Sequence, residues 1–352
     1  MHFIDVKKAQ IPIAFAILAA MCYGVSAPFS KILLDEIPPT QLAALLYLGA
    51  GLGMVLVNLF QRGEQKEARV TREDLPYTIG MIVLDIAAPI LLMFGLTMTT
   101  SANAALLNNF EIVATSLIAL FIFKEAIGKR MWIAIACITL ASMILSFEDI
   151  GSFSFSFGSL LVLAACLCWG LENNCTRMLS LKNPIQIVIL KGLGAGGGAL
   201  LIVLATTGFV NHALYNVYAL LLGFFAFGLS IFFYIKAQRD LGAARTSAYY
   251  AIAPFVGAAL SFLIFRDSIT ILFAIALLIM IVGAYLAAFE KHTHFHIHDM
   301  VEHDHRHSHE SLHHNHQHEE EIEGEEHNHL HVHTPTTHEH EHTPDTHHSH
   351  FH

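Results

Sequence analysis

The chain has 352 residues, of which 54% are hydrophobic and only 14% charged. Soluble domains carry about 25% charged residues, so the composition excludes an ordinary soluble protein and points to a chain that crosses a bilayer many times. The formal net charge of −10 is carried by the residues after Glu290; the rest is close to neutral, which excludes a nucleic-acid partner.

In chain order, Lys7 and Lys8 precede an apolar run from Ile11 to Leu34. That run is longer than a signal-peptide core and many more follow, so it reads as a first transmembrane helix. A spanning helix needs about 20 mostly apolar residues. Ten runs qualify: Ile11–Leu34, Leu42–Phe60, Tyr77–Leu96, Ser101–Phe123, Met131–Phe147, Phe157–Leu179, Ile185–Gly208, Tyr218–Ile235, Ala243–Phe265 and Ile269–Phe289. Short polar connections with turn residues such as Pro38–Pro39 and Asn183–Pro184 separate them. Cys22, Cys137, Cys166, Cys168 and Cys175 lie inside the runs and read as small packing residues rather than a disulfide framework.

Positive residues set orientation, because cytoplasmic connections are enriched in Lys and Arg. With the N-terminus in the cytoplasm, all Lys and Arg except Lys31, Lys191 and Arg266 fall inside or at inner helix ends. The expected protein is a multi-pass cell-membrane protein with both termini cytoplasmic.

The chain repeats itself. YGVSAPFSKIL from Tyr23 matches WGLENNCTRML from Trp169, and LGAGLG from Leu48 matches LGAGGG from Leu193. FKEAI from Phe123 matches FRDSI from Phe265, and Phe147–Glu148 matches Phe289–Glu290, with one common offset. Five spans per half is an odd number, so the two halves must have opposite topology, a transporter architecture with its site near the midplane between the repeats. The expected fold is an all-α membrane protein of ten transmembrane helices in two inverted five-helix repeats, residues 1–148 and 149–290, followed by a disordered cytosolic tail, 291–352.

With these repeats, each ending in an apolar helix, an acidic turn (Lys124–Glu125, Arg266–Asp267) and a closing helix, the chain resembles the EamA branch of the drug/metabolite transporter superfamily over residues 11–289. The resemblance implies a secondary transporter; members of that superfamily carry amino acids, sugars, nucleotide sugars, drugs and metallophores.

Ionisable residues in the membrane cost about 2.5–3.5 kcal/mol or more and are informative for that reason. Asp85 and Glu111 lie at a depth of about 12–15 Å from opposite ends of their helices. They read either as a site that shares a proton or holds a cation, or as protonated packing residues. Asn108, Glu111 and Thr115 follow a helical spacing that puts them on one face. The repeat positions of Asp85 and Glu111 are Phe227 and Ala253, so the fold itself does not require the charges. Glu172 and Lys191 lie at equal depth on adjacent spans, as an ion pair would, whether structural or in contact with substrate. Asn173 and Asn174 add donors and acceptors suited to an amino-acid-like or chelate ligand. Tyr23 and Trp169 occupy equivalent repeat positions and read as stacking surfaces for a ligand or as packing aromatics. The Gly-rich run 192–198 lacks the Gly-Lys-Ser/Thr ending of a phosphate loop and reads as close helix packing. His2 and His212 are the only histidines before the tail; no Ser/His/Asp or Cys/His set occurs, and no enzyme is expected.

After Glu290 the composition changes. Histidines alternate with polar and acidic residues: His292, His294, His296 and His298; His303, His305, His307 and His309; His327, His329, His331 and His333; then His338, His340 and His342. With so little apolar surface, disorder is expected. Imidazoles in this pattern are ligands for Zn, Ni, Co or Cu; they also titrate near neutrality. No cofactor is required. The leading functional expectation is a transporter, an exporter by preference, of a small polar metabolite, with proton coupling left open. The alternatives are a transition-metal or metal-chelate transporter whose tail handles the ion, and a membrane metal sensor that does not transport. Expected partners are the small-molecule substrate, the lipid bilayer and divalent metals; a homodimer is left open.

Overall fold

The computed structural model describes residues 6–60, 70–123, 127–149, 154–179, 182–241, 246 and 249–288, with strand backbones at 292–298, 302–308, 326–332 and 336–342. Among the described residues, nine helical stretches are long and apolar enough to cross a membrane: Ile11–Leu33, Pro39–Phe60, Leu75–Met98, Ser101–Ile122, Lys129–Ser146, Phe157–Met178, Pro184–Thr206, Ala213–Ala237 and Ile271–Ala288. The run expected over Ala243–Phe265 differs. Its described part is a shorter apolar helix, Ala253–Phe265, entered through a turn at 251–252. Large apolar side chains point outward around the bundle, among them Leu59, Phe60, Phe121, Leu201, Leu263 and Ile271. So much outward apolar surface is unsuited to water and matches a lipid surround.

Several spans are interrupted, and the sequence says why. The first comprises α1 (Val6–Gly24) and α2 (Ser26–Leu33). Pro28 has no N–H for the Gly24 carbonyl, and its ring crowds that carbonyl, so the helix loosens at Val25. After α3 (Pro39–Phe60) and α4 (Leu75–Met98), the fourth span divides into α5 (Ser101–Leu107) and α6 (Phe110–Phe123). There Asn109 donates from its side chain, at 3.2 Å, and from its backbone, at 3.1 Å, to the Leu106 carbonyl. Such local bonds compete with the helical ladder. The expectation of one unbroken polar face over Asn108, Glu111 and Thr115 is corrected accordingly: Asn108 caps α5, and Glu111 lies in the first turn of α6.

The chain continues through α7 (Lys129–Ser146), a short hairpin of β1 (Phe147–Asp149) and β2 (Ser154–Phe155), α8 (Phe157–Met178) and α9 (Pro184–Thr206). The eighth span runs from α10 (Ala213–Gly223) through a π-helical segment, Phe224–Leu229, into α11 (Ser230–Leu241). The last helices are α12 (Ala253–Phe265), with Pro254 in its first turn, and α13 (Ile271–Ala288). α3 packs on α9, α4 on α8, α7 on α13, and α1 on α11. The two Gly-rich motifs meet at the α3–α9 crossing: a Cβ on Gly51 would stand 2.7 Å from the Leu193 nitrogen. Small residues there let the two backbones touch.

Side chains near the span ends tie the helices together, those of Gln41, Gln186 and Lys182 across the two halves. Gln41, on α3, donates to the Val210 carbonyl at 2.8 Å and accepts from the Val210 N–H at 2.8 Å. Gln186, on α9, accepts from the Val70 N–H at 3.2 Å. Lys182, before α9, pairs with Asp74, before α4, at 3.0 Å. Lys31 donates to the carbonyls of Leu96 and Thr99 at the C-terminal end of α4, where a cation is favoured.

The tail was expected to be disordered in an otherwise all-α chain. Its described backbone instead pairs as antiparallel strands: β3 (His292–His298) with β6 (Thr336–His342), and β4 (Glu302–Ser308) with β5 (Glu326–Val332). The alternation of histidine with other residues has the two-residue period of a strand. The register sets His294 opposite His340 and His305 opposite His329.

Candidate functional site

The polar centre is built where α3, α4, α6, α8 and α9 meet. Asp85, on α4, is 0% exposed, and Glu172, on α8, is 1% exposed. Neither could remain ionised there without a partner. Lys191 of α9 supplies it: its Nζ stands 3.0 Å from Glu172 Oε2 and 3.4 Å from Asp85 Oδ2. One ammonium therefore joins a carboxylate of the first half to a carboxylate of the second.

Asp85 Oδ2 has the ammonium but no hydrogen bond, whereas the other oxygen of each carboxylate accepts one. Tyr47 donates its hydroxyl to Asp85 Oδ1 at 2.8 Å, and Trp169 Nε1 donates to the Tyr47 hydroxyl at 3.2 Å. Thr176 donates to Glu172 Oε1. Pro89 lies four residues after Asp85 inside α4, so the Asp85 carbonyl loses its usual helical donor. The site is thus placed where the backbone is already loosened.

A second polar group lies on α6 and α8. Asn173 Nδ2 donates to Glu111 Oε1 at 2.7 Å and to Thr115 Oγ1 at 3.2 Å. Asn174 donates to the carbonyls of Gly170 at 2.8 Å and Thr115 at 3.2 Å. Gly170 itself lies tight against Ala114, with room for no Cβ, and this contact brings the Asn173–Asn174 pair down onto α6. Glu111 is half-buried, unlike Asp85 and Glu172.

Aromatic rings continue from the polar centre. Tyr47 stacks at a tilt on Phe227 with centroids 5.4 Å apart, and Phe227 meets the edge of Tyr23 at 5.9 Å. Tyr23 lies 6.0 Å from Tyr250, whose hydroxyl is 3.3 Å from Ser230 Oγ. Phe227 belongs to the π-helical segment, and such segments re-aim side chains at functional sites.

The site expectations fare unevenly. Glu172 and Lys191 do form an ion pair. Asp85 and Glu111, read at matching depth either as a proton or cation site or as packing residues, have separate partners: Tyr47 and Lys191 for Asp85, Asn173 for Glu111. Asn108 does not join Glu111; its side-chain oxygen lies 4.0 Å from Cys166 Sγ. Trp169 acts through an N–H bond to Tyr47, and Tyr23 through ring contacts. The sequence reading assigned no site role to Tyr47, Thr176, Phe227 or Tyr250. Tyr47 could have been suspected as a hydroxyl beside the first Gly-rich motif. Among the described residues no group of three His, Cys, Asp or Glu is arranged to hold a metal ion. The tail histidine side chains, and His309 and His333 altogether, lie outside the described residues.

The sequence profile of the EamA-like transporter family matches twice, over residues 10–147 and 156–289. The chain belongs to this family. An "Uncharacterized transporter" of Methanothermobacter thermautotrophicus is 28% identical over 289 residues, covering 77% of this chain and 84% of that protein. One from Clostridium kluyveri is 26% identical, with coverage of 79% and 92%. The "Uncharacterized transporter YyaM" of Bacillus subtilis is 23% identical, with coverage of 68% and 81%. A solved crystal structure superposes with a TM-score of 0.57 at 16% identity, over 78% of this chain and 95% of that one, a likeness of fold. The EamA-family chain is thus a multi-pass membrane protein of transporter type.

Proposed function

We propose that this protein is a secondary transporter that exports a small polar metabolite across the cell membrane in exchange for protons, with both termini in the cytoplasm and its two halves as inverted repeats. The observation that carries this reading is the Asp85–Lys191–Glu172 bridge, 3.4 and 3.0 Å long, between helices of the two halves. Buried charges in a membrane are costly, and a scaffold gains nothing from them that apolar packing would not supply. A bridge between halves is also a natural place to couple binding to their relative motion. Asp85 and Glu111 would carry the exchanged proton. Asn173, Asn174, Tyr23 and Trp169 would contact the solute.

A second reading has one observation of its own. The tail register sets histidine opposite histidine in both strand pairs, an arrangement suited to Zn, Ni, Co or Cu. In that reading the solute is a metal or metal chelate, and the tail buffers or delivers the ion.

The test is flux in proteoliposomes holding the full chain and an internal pH dye, against a panel of amino acids, sugars, amines and divalent metals. Proton movement driven by an organic solute, lost in Asp85→Asn and Glu111→Gln proteins that still fold, is the expected result. Flux of metals alone would favour the second reading. Undiminished flux in both variants would remove the proton role.

A further inference from the structure

Beyond α13 the chain forms two antiparallel strand pairs, β3 with β6 and β4 with β5, nested as in one hairpin. The pairs share a register: between His292↔His342 and Glu302↔Val332 both sides have moved on by the same number of residues. In the first pair His292, His294 and His296 stand opposite His342, His340 and His338. In the second, His303, His305 and His307 stand opposite His331, His329 and His327. The positions between them are mixed: Phe295 is opposite Glu339, and Arg306 opposite Asn328. Strand positions two apart share a face, so each pair has three histidine rungs on one face and none on the other.

A two-stranded ribbon is marginal in water even with apolar cross-strand contacts. Rows of imidazole add little apolar burial, and they repel one another when protonated. An ion that imidazole ligates would supply the missing stabilisation. Facing positions stand about 5 Å apart, and successive positions on one face about 7 Å apart along the strand. Four imidazoles at the corners of such a rectangle can converge on one ion of tetrahedral preference, with metal–nitrogen bonds of about 2.0–2.1 Å. Ca and Mg take oxygen ligands and would not select this face. Among its described residues the bundle offers no other group of metal-ligating side chains.

We propose that the segment after α13 carries two binding sites for a divalent transition ion of the zinc type, each made from two adjacent histidine rungs, and that the ion locks the paired strands together. The central rung, His294–His340 in one block and His305–His329 in the other, belongs to any adjacent two. The outer rungs substitute for one another. Without the central rung the remaining two lie about 13 Å apart along the strand, too far to share an ion. An imidazolium that becomes a ligand gives its proton to water. The sites follow the last span in the chain, so the proposal goes beyond the transport reading and holds whichever solute the bundle carries.

The test uses the full chain in detergent, without an added histidine tag and stripped with EDTA, and follows backbone amide exchange by mass spectrometry. Zn(II) should slow exchange in β3 and β6 together, and in β4 and β5 together; the same concentration of Mg(II) should change neither. Replacing a central rung, His294→Asn with His340→Asn, should abolish the first protection and leave the second. Replacing an outer rung, His292→Asn with His342→Asn, removes the same number of imidazoles and should keep both. His305→Asn with His329→Asn should lose only the second. Co(II) in place of Zn(II) should give the visible absorption of a tetrahedral ion, with one of the two sites lost in either central variant. Exchange within the bundle reports that each variant folds. Zinc that binds without slowing the strands, or central and outer variants that behave alike, would mean chelation by a loose histidine-rich chain and overturns the proposal. Protection that is indifferent to zinc and to chelator overturns it as well. None of these readouts is a flux, so failure of the transport reading would leave them standing.

Discussion

Lys191 is the residue on which the buried charge balance depends. Its ammonium lies 3.0 Å from one buried carboxylate and 3.4 Å from another, and removing one partner of a buried ion pair costs about 3–5 kcal/mol because the other charge stays behind. Lys191→Met should therefore lower stability by about that much, read as a fall in melting temperature. The deficit should shrink as pH is lowered, because protonation then neutralises Asp85 and Glu172 in place of the ammonium. A variant as stable as the parent at neutral pH would mean that the carboxylates are already protonated. This pair was legible in the sequence, since equal depth follows from the helical rise alone. Tyr47 was not: its role depends on how α3 is rotated about its own axis, and a run as uniformly apolar as Pro39–Phe60 carries no periodicity to fix that. Phe227 was missed for a related reason, since only the π segment turns it toward Tyr47 and Tyr23.

Among the helices, the ends and interruptions carry most of the information. Arg266 closes α12 with φ 56° and ψ 32°, and its N–H bonds to the Phe262 carbonyl at 3.0 Å. This left-handed position is one that glycine adopts freely and a side chain does not. Arg266→Gly should be more stable than Arg266→Ala by about 1 kcal/mol, measured as a difference in denaturation midpoints; both variants lose the same charge, so only backbone strain separates them. Equal stabilities would show that the turn relaxes elsewhere. The sequence reading took Ile11–Leu34 and Ala243–Phe265 as unbroken, although Pro28 and Pro254 are the signals from which the interruptions at Val25 and at 251–252 follow. The one at Asn108–Asn109 has no such signal, because asparagine within a span is compatible with an unbroken helix until its side chain turns back to the Leu106 carbonyl.

At the level of the whole molecule, the halves are held together near the ends as well as at the centre. Asp74, before α4, meets Lys182, before α9. Partial burial pushes the Asp74 carboxyl up, but the hydrogen bonds from Thr71 and the Lys182 ammonium outweigh this and hold it below the usual carboxylate value. A depressed folded-state value means that the stabilisation is present above the unfolded value of about 3.9 and is lost as pH falls through the folded one. The parent should therefore be more stable than Asp74→Asn at neutral pH, and the gap should close below about pH 4. A gap that persists in stronger acid would show that the Thr71 and Lys182 contacts do not depend on the carboxylate's charge. The span pattern was visible at this scale because a bilayer demands long apolar runs. The tail strands were not, because no burial of apolar surface announces them.

The placement of three carboxylates and one ammonium at the middle of the bundle has an electrical meaning. A bilayer at rest carries a voltage, and moving one elementary charge through all of it changes the energy by about 2.3 kcal/mol per 100 mV. With every carboxylate ionised, the cluster holds uncompensated negative charge, so the empty protein would feel that voltage whenever access switches from one face to the other. If Glu111 carries the exchanged proton, as proposed above, protonating it would remove part of that sensitivity. The current–voltage curve of the working protein would then depend on whether that carboxylate is protonated, and the membrane potential would bias one leg of the cycle more than the other.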